Sequence, residues 1–275
     1  MTLMLTMIGL APHPPIIIPE IGRDRLDEAE KTVNGMKELS RQMKEAAPEI
    51  LLVITPHGRI ATEGPAIQTG RELTGNFGQF GFPDINVSLK TDRKLVDLIV
   101  EESAKGHLQP LLLADKDPLL RGGSSLDHGA MVPIYYMQQA GLNIPGVHIT
   151  FSFHSLDQLY GFGRALKTAV ERRDKRVAVL ASGDLSHRLT RGAPAGYNPR
   201  GAEFDQKLVE YIRGGEVDKI LNFDQQLVEE AGECGLRSFV MALGMLDEES
   251  FTSEVISYEG PFGVGYLVAT LKPVT

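Results

Sequence analysis

Short apolar runs recur along the chain and predict buried strands. Each run holds mostly apolar residues and ends close to a proline, glycine, serine or histidine. Such runs are typical of strands that are buried on both faces of a sheet. They lie at residues 1–10, 50–54, 147–153 and 177–182, and two terminal strands are predicted at 254–258 and 265–271.

Between these runs, apolar residues recur every three or four positions, which predicts amphipathic helices. The clearest helix covers residues 26–47 and ends before Pro48. Further helices are predicted at 91–105, 131–140, 155–173, 202–213, 217–221 and 236–246. Strands that alternate with helices predict an α/β sandwich, with a central mixed β-sheet flanked by helices. Since no linker-like segment divides the chain, we expect one domain over residues 1–275.

A glycine-rich segment at residues 64–84 does not fit this alternation. It predicts a long loop or a hairpin that covers a site. Within it, glycines alternate with Phe77, Phe80 and Phe82. Two interpretations stay open, an apolar flap over an aromatic substrate and a plain surface hairpin.

Composition narrows the classes of function. The 275 residues carry 28 Lys and Arg against 36 Asp and Glu, a net charge of −8 that disfavours nucleic acid as a partner. The one cysteine, Cys234, excludes an intramolecular disulfide and a cysteine-rich zinc module. The apolar N-terminus has no Lys or Arg before Arg23 and is too short to span a bilayer. We therefore predict a cytoplasmic protein with no membrane partner.

Four of the seven histidines lie at junctions between predicted elements. His13, His57 and His187 each follow a predicted strand, and His128 directly precedes a helix. Ligands of α/β proteins collect at the carboxyl ends of strands, so these side chains are expected to meet. A single loop histidine is usually unremarkable, but the set favours a site. His148, inside a strand, is interpreted as a core residue.

A metal site of the two-histidine, one-carboxylate kind also needs an acidic ligand. The best candidate is Glu233, which lies in a glycine-bounded turn just before an apolar helix. Its neighbour Cys234 has two open interpretations, a small buried residue or a ligand in place of Glu233.

Taken in order, the motifs resemble the class III extradiol dioxygenase superfamily, the LigB-like proteins, which include the Memo-type proteins. They comprise His13, His57, Leu126-Asp127-His128-Gly129 with Pro133, Gly183-Asp184-Leu185-Ser186-His187 and Glu233-Cys234-Gly235. The match extends to the strand at 262–266 and so covers nearly the whole chain. The resemblance implies a LigB-like α/β fold and an Fe(II) centre.

The resemblance also implies a role for each residue. His13, His57 and the family glutamate, carried over to Glu233, would hold Fe(II). His187 would be the catalytic acid and base, and His128 would be a second catalytic residue that contacts substrate. Memo-type proteins have a cysteine followed by glycine in the last motif, as Cys234 is here. Independently of the family, Asp184 lies three residues before His187 and is a candidate to orient an imidazole on the substrate side.

Three functions therefore stay open. The first is an extradiol-type dioxygenase that inserts O₂ into a catecholic or aminophenolic ring in aromatic catabolism. The second is a Memo-like protein that binds a metal, such as copper, without ring cleavage. The third is a zinc-dependent hydrolase, since two histidines and a glutamate also suit Zn²⁺. The expected partners are a small aromatic substrate and O₂, with a homo-oligomer or a small partner subunit.

Overall fold

In the computed structural model, which describes residues 4–106, 108–114 and 126–274, a mixed eight-stranded sheet crosses the protein. The strands in chain order are β1 (Leu5–Ala11), β2 (Ile50–Thr55), β3 (Ala66–Gln68), β4 (Glu72–Phe77), β5 (Phe82–Lys90), β6 (Leu111–Leu113), β7 (Gly146–Thr150), β8 (Val177–Ser182), β9 (Phe251–Glu259) and β10 (Tyr266–Pro273). The large sheet has the order β6-β3-β7-β2-β8-β1-β10-β9. β4 and β5 pair separately as an antiparallel hairpin.

Helices cover both faces of the sheet. They are α1 (Pro19–Gly22), α2 (Glu30–Glu45), α3 (Arg93–Ser103), α4 (His128–Gln139), α5 (Leu156–Arg173), α6 (Pro199–Gly214), α7 (Val217–Leu221), α8 (Gln225–Ala231) and α9 (Leu236–Leu243). Alternate residues of the central strands face opposite ways. Leu52 and Ile54 enter one apolar core with α5 and α9, whereas Leu51 and Val53 enter the other with α2 and α4. Burial on both faces explains why the central strands are continuous apolar runs.

The four central strands, β7, β2, β8 and β1, are parallel to one another. Their carboxyl ends therefore lie at one edge, where Ala11, Thr55, Thr150 and Ser182 are the last strand residues. The flanking pairs, β1 with β10 and β3 with β7, are antiparallel, so the sheet is mixed. The expected fold class, an α/β protein with a central mixed sheet flanked by helices, is confirmed.

Some predicted elements differ in extent. Residues 26–29 belong to a 3-10 segment, Arg23–Ala29, and the regular helix begins only at Glu30. The glycine-rich segment holds β3, β4 and the start of β5, so its larger part is a hairpin. The three-residue strands β3 and β6 were not predicted, because runs this short carry too little periodicity to be recognised. In the described part of the chain, no helix is long and apolar enough to span a bilayer.

Candidate functional site

The strand ends bring the four junction histidines to one place. His13 follows β1, His57 follows β2, His187 follows β8, and His128 is the first residue of α4. The Nε2 atoms of His13 and His57 lie 2.9 Å apart. The rings of His57 and His128 stack, with centroids 4.4 Å apart and planes inclined by 17°. Three of the four rings, those of His13, His57 and His128, are in direct contact, as expected. The fourth, His187, is separated from His13 by the Asp184 carboxylate.

Ser182, the last residue of β8, determines which nitrogen of His13 carries a proton. The Ser182 hydroxyl donates to the carbonyl oxygen of Gly129 at 2.5 Å. It can therefore only accept from Nδ1 of His13, 3.0 Å away. The neutral His13 ring is then protonated at Nδ1, and its Nε2 lone pair faces His57. A buried imidazole with this orientation is ready to bind a metal ion.

Burial keeps the clustered histidines neutral. The pKa of His13 is lowered by burial and then by the neighbouring His57. Burial and the adjacent His128 lower the pKa of His57 to about 4. Burial and the nearby His13 lower the pKa of His128 to about 4 as well. At neutral pH all three rings thus offer lone pairs rather than positive charges.

Asp184 and Cys234 lie beside the histidines on two touching loops. The backbone N–H of His13 donates to Oδ1 of Asp184 at 3.0 Å, and Oδ2 of Asp184 lies 3.8 Å from Nε2 of His13. The backbone N–H of Cys234 donates to the Asp184 carbonyl at 3.2 Å, and its Sγ lies 3.8 Å from Nε2 of His13. A Cβ on Gly183 would come within 2.0 Å of the Gly235 Cα, so only glycine permits this close approach.

Burial also shifts the pKa values of the two acidic side chains and of the thiol in the site. Burial raises the pKa of Asp184 and of Glu233. Burial, followed by the charges of Asp184 and Glu233, raises the pKa of the Cys234 thiol well above its usual value. In the metal-free protein Cys234 is therefore a thiol at neutral pH.

The side chain of Glu233 points away from the histidine cluster. Its Oε2 accepts a hydrogen bond from the backbone N–H of Leu236 at 2.6 Å and so stabilises the first turn of α9. Its Oε1 lies 3.9 Å from the Arg237 guanidinium. Among the described residues, two groups have ligand atoms within 4.8 Å of one another, and Glu233 is in neither: they are His13, His57 and Cys234, and Asp184, His187 and Cys234.

His187 lies on the far side of Asp184. Its Nδ1 donates to the carbonyl oxygen of Gly232 at 2.7 Å, so the neutral ring carries its lone pair on Nε2. That Nε2 lies 3.8 Å from Oδ2 of Asp184. The ring is half-exposed, in contrast to the buried His13, and can exchange a proton with a small molecule in the site.

The β4–β5 hairpin covers the histidine stack. Its tip, Gly78–Phe80, places the Phe80 ring 5.7 Å from the ring of His128, centroid to centroid. Phe77 is fully buried below it, with ring centroids 6.3 Å apart. Of the two interpretations of the glycine-rich segment, this position favours a flap at the site over a hairpin remote from it.

Two site features were absent from the sequence-based prediction. Ser182 was not assigned a role, although its position as the last residue of a strand that leads into His187 was a usable signal. His148 was interpreted as a core residue, yet its Nε2 lies 2.9 Å from Oδ2 of Asp127, the residue before His128. Nothing in the spacing indicated that bond. His154, in the loop that follows this strand, contacts Ser152, and His107 lies outside the described residues.

A metal ion fits the donor atoms of His13, His57 and Cys234. Two nitrogen ligands about 2.1 Å from one ion are about 3 Å apart when they bind at a right angle, and the two Nε2 atoms are 2.9 Å apart. Imidazole and thiolate ligands suit Fe, Cu and Zn. Asp184 adds a buried carboxylate at the same place.

Comparison with known proteins shows to which family the chain belongs. A family model described as the catalytic LigB subunit of aromatic ring-opening dioxygenase matches residues 8–269. The chain belongs to the LigB family. This LigB-family chain is 38% identical over 265 residues to protein CA_C1420 of Clostridium acetobutylicum, an alignment that takes in 96% of the chain. It spans only 56% of the length of that relative.

Two further relatives of the LigB-family chain are named as dioxygenases. The 3,4-dihydroxyphenylacetate 2,3-dioxygenase of Escherichia coli is 26% identical, over 82% of this chain and 83% of the relative. The 2-aminophenol 1,6-dioxygenase beta subunit of a Pseudomonas species is 24% identical, over 94% and 91%. The crystal structure of uncharacterized protein JW3007 from Escherichia coli K12 superposes with a TM-score of 0.68 at 15% identity, covering 97% of this chain and 99% of that one, and shows a shared fold.

Proposed function

We propose that this protein is a metal-dependent, extradiol-type dioxygenase that inserts O₂ into a catecholic or aminophenolic ring, with Fe(II) as its metal. The observation that carries the proposal is the 2.9 Å approach of two neutral imidazole nitrogens, Nε2 of the buried His13 and Nε2 of the more exposed His57, in a LigB-family chain. Distant relatives named as dioxygenases of a catechol and of an aminophenol support this class of substrate.

His13, His57 and either Cys234 or Glu233 would hold the metal ion. When bound, Fe(II) would bring a catecholic substrate and O₂ together and allow electron transfer between them. Cys234 is favoured as the third ligand, because its Sγ lies 3.8 Å from His13 Nε2 while Glu233 stabilises α9. A cysteine here is shared with the Memo-type branch that the sequence resembles.

His187 is the proposed acid and base. Its Nε2 is free to accept a proton from a substrate hydroxyl, because its Nδ1 is bonded to the Gly232 carbonyl. The nearby Asp184 carboxylate then stabilises the imidazolium that forms. His187 subsequently returns the proton to an oxygen of the opening ring. We propose that His128, whose ring stacks on His57 and lies 5.7 Å from the Phe80 ring, contacts the substrate ring.

The direct test is anaerobic reconstitution with Fe(II), followed by O₂ uptake with a panel of catechols, protocatechuates and aminophenols. We expect stoichiometric O₂ consumption and a coloured ring-opened product with at least one member. Absence of uptake with every member, in protein shown to hold iron, would contradict ring cleavage. Hydrolysis by the zinc-loaded protein without O₂ uptake would instead support the hydrolase interpretation.

Replacing Phe80 by alanine tests the hairpin as a wall of the substrate site. Phe80 is 37% exposed and contacts His128, so its removal is expected to raise KM for an aromatic substrate about tenfold, the value of a lost aromatic contact of about 1.4 kcal/mol. Metal content should not change. Phe153, 69% exposed and beside Arg237, provides the matched control F153A. Equal KM changes in both variants would contradict the assignment.

A second candidate is a metal-binding protein without ring cleavage, as in the Memo-like branch. The observation that favours it is Cys234, because thiolates select copper and zinc as readily as iron. Elemental analysis of protein purified without added metal separates the two. Bound copper and no O₂ uptake would favour this second function.

The pH dependence of metal affinity identifies the third ligand. The pKa of the Cys234 thiol is raised by burial, so binding through the thiolate releases a proton. We expect affinity to rise about tenfold per pH unit between pH 6 and 8. The histidines contribute no slope there, because their pKa values, about 4 for His57, lie below that range.

Two variants complete this test. C234S should flatten the pH dependence and weaken binding, while E233Q should retain both slope and affinity and lose only part of the stability of α9. The reverse pattern would identify Glu233 as the ligand. Isothermal titration with Zn²⁺ across the pH range measures both quantities.

The assembly and the location stay predictions. We propose either a homo-oligomer or a complex with a small partner subunit, and one relative is itself named as a beta subunit. A cytoplasmic location is proposed as well. Analytical ultracentrifugation of the purified chain distinguishes a monomer from a homo-oligomer.

A further inference from the structure

His148 is a polar residue in a strand that is buried throughout. It is fully buried in β7, pairs in register with Val53, and lies on the sheet face that packs against α4. Its Nε2 is 2.9 Å from Oδ2 of Asp127, whereas its Nδ1 has no hydrogen-bond partner among the described residues. Burying an unpaired nitrogen costs free energy that a leucine would not. The benefit of the imidazole must therefore lie in its bond to Asp127.

Asp127 links His148 to the segments that carry the two stacked histidines, His57 and His128. Its Oδ1 accepts from the Thr55 hydroxyl at 2.6 Å and from the backbone N–H of Ala130 at 3.2 Å, which caps α4 immediately before His128. Thr55 Oγ1 in turn accepts from the backbone N–H of His57 at 3.3 Å. One buried carboxylate thus connects β7, the end of β2 and the start of α4.

The two glycines that follow these histidines leave room for this carboxylate. A Cβ on Gly58 would lie 1.9 Å from Thr150 Oγ1 and 3.3 Å from Asp127 Oδ2. A Cβ on Gly129 would lie 2.4 Å from Thr55 Oγ1 and 2.9 Å from Asp127 Oδ1. Gly129 therefore leaves room for Asp127 and Thr55, and Gly58 leaves room chiefly for Thr150, with Asp127 next to it; this observation is independent of the hydrogen bonds.

We infer that His148 and Asp127 form a positioning pair that sets the orientation of His57 and His128. The inference rests on the proposed function for its consequence, metal affinity and substrate contact, but its geometry rests on contacts among the protein's own residues. His148 does not touch the metal ligands. It acts through Asp127 and Thr55.

The test compares H148L, which removes the donor, with H148Q, whose amide places a donor near the position of Nε2. T55V removes the hydrogen bond between Thr55 and Asp127, and its control T55S retains it; neither changes His148. Two readouts are used, the imidazole ring resonances of His57 and His128 in metal-free protein and the affinity for Co²⁺ alone. Circular dichroism checks that each variant is folded.

We expect H148L and T55V to shift both sets of ring resonances and to weaken Co²⁺ binding about 10–100-fold, as the loss of supporting hydrogen bonds does elsewhere. H148Q and T55S should return the resonances and bring affinity to within about threefold of the unmodified protein. Unchanged resonances in both H148L and T55V would overturn the inference. If H148L does not fold, the ring resonances of T55V, compared with those of T55S, decide whether the inference holds.

These readouts separate the two proposals. A protein whose ring resonances respond as expected but that binds no Co²⁺ would support the positioning pair and contradict the proposed metal centre. Normal Co²⁺ affinity and unchanged ring resonances in all four variants would leave the metal centre intact and overturn the positioning pair.

Discussion

Replacing His13 by alanine is expected to abolish metal binding at micromolar metal concentration. His13 is 2% exposed, and Ser182 directs its Nε2 lone pair towards His57. A shell of four ligands supplies about 10–16 kcal/mol, so one ligand accounts for roughly 3 kcal/mol, or at least a hundredfold in affinity. Elemental analysis and anaerobic titration with Fe(II) measure the loss.

The matched control is H154A, because His154 is also an imidazole in a loop that follows a central strand but belongs to neither group of clustered ligand atoms among the described residues. It should bind metal as the unmodified protein does. H57A is expected to behave like H13A. Normal metal content in both H13A and H57A would show that the ligand assignment is wrong and that the 2.9 Å approach is only a hydrogen bond between two rings.

Replacing His187 by glutamine is expected to lower kcat for ring cleavage about 10²–10⁴-fold, the range that a positioned acid or base contributes. Metal affinity should change little, because His187 is not one of the proposed ligands, although its ring lies in the same group of clustered atoms as Asp184 and Cys234. The Gln amide stands near the position of Nε2 rather than of the Nδ1 that donates to the Gly232 carbonyl, and it cannot exchange a proton. Stopped-flow measurement of the ring-opened product, with metal content determined in parallel, separates the two effects.

The control for this variant is S182A, which changes a hydrogen bond of His13, a proposed metal ligand, instead. It should lower metal affinity more than the rate of the fully loaded protein. Should H187Q retain the full rate, the acid and base must be another group, and the pair of the partly exposed His187 and the buried Asp184 would lose its proposed role.

The sequence predicted the meeting of the histidines better than the identity of the third ligand. His13, His57 and His187 each follow a recognisable strand, and parallel strands end at a common edge, so proximity followed from the pattern. Glu233 and Cys234 are adjacent in one turn, and adjacent side chains point in different directions. Only the hydrogen bonds of that turn, to Leu236 and to Asp184, show which side chain faces His13.

The hairpin and His148 also show the difference between what the sequence pattern predicts and what only tertiary contacts reveal. Glycines alternating with phenylalanines predicted either a flap or a surface hairpin, and contact between Phe80 and His128 depends on how α4 packs against the hairpin. His148 looked like an ordinary core residue, because its partner Asp127 is distant in sequence and on another element. Such contacts leave no periodic signal along the chain.

The sequence by itself determined the α/β class, the order of the main elements and the four junction histidines, because apolar periodicity and the edge of a parallel sheet are local or topological properties. The tertiary structure decided the protonated nitrogen of His13, the direction of Cys234 and Glu233, the hairpin position and the Asp127–His148 bond. These depend on packing between segments far apart in the chain, where distances of a few tenths of an ångström separate a hydrogen bond from a miss.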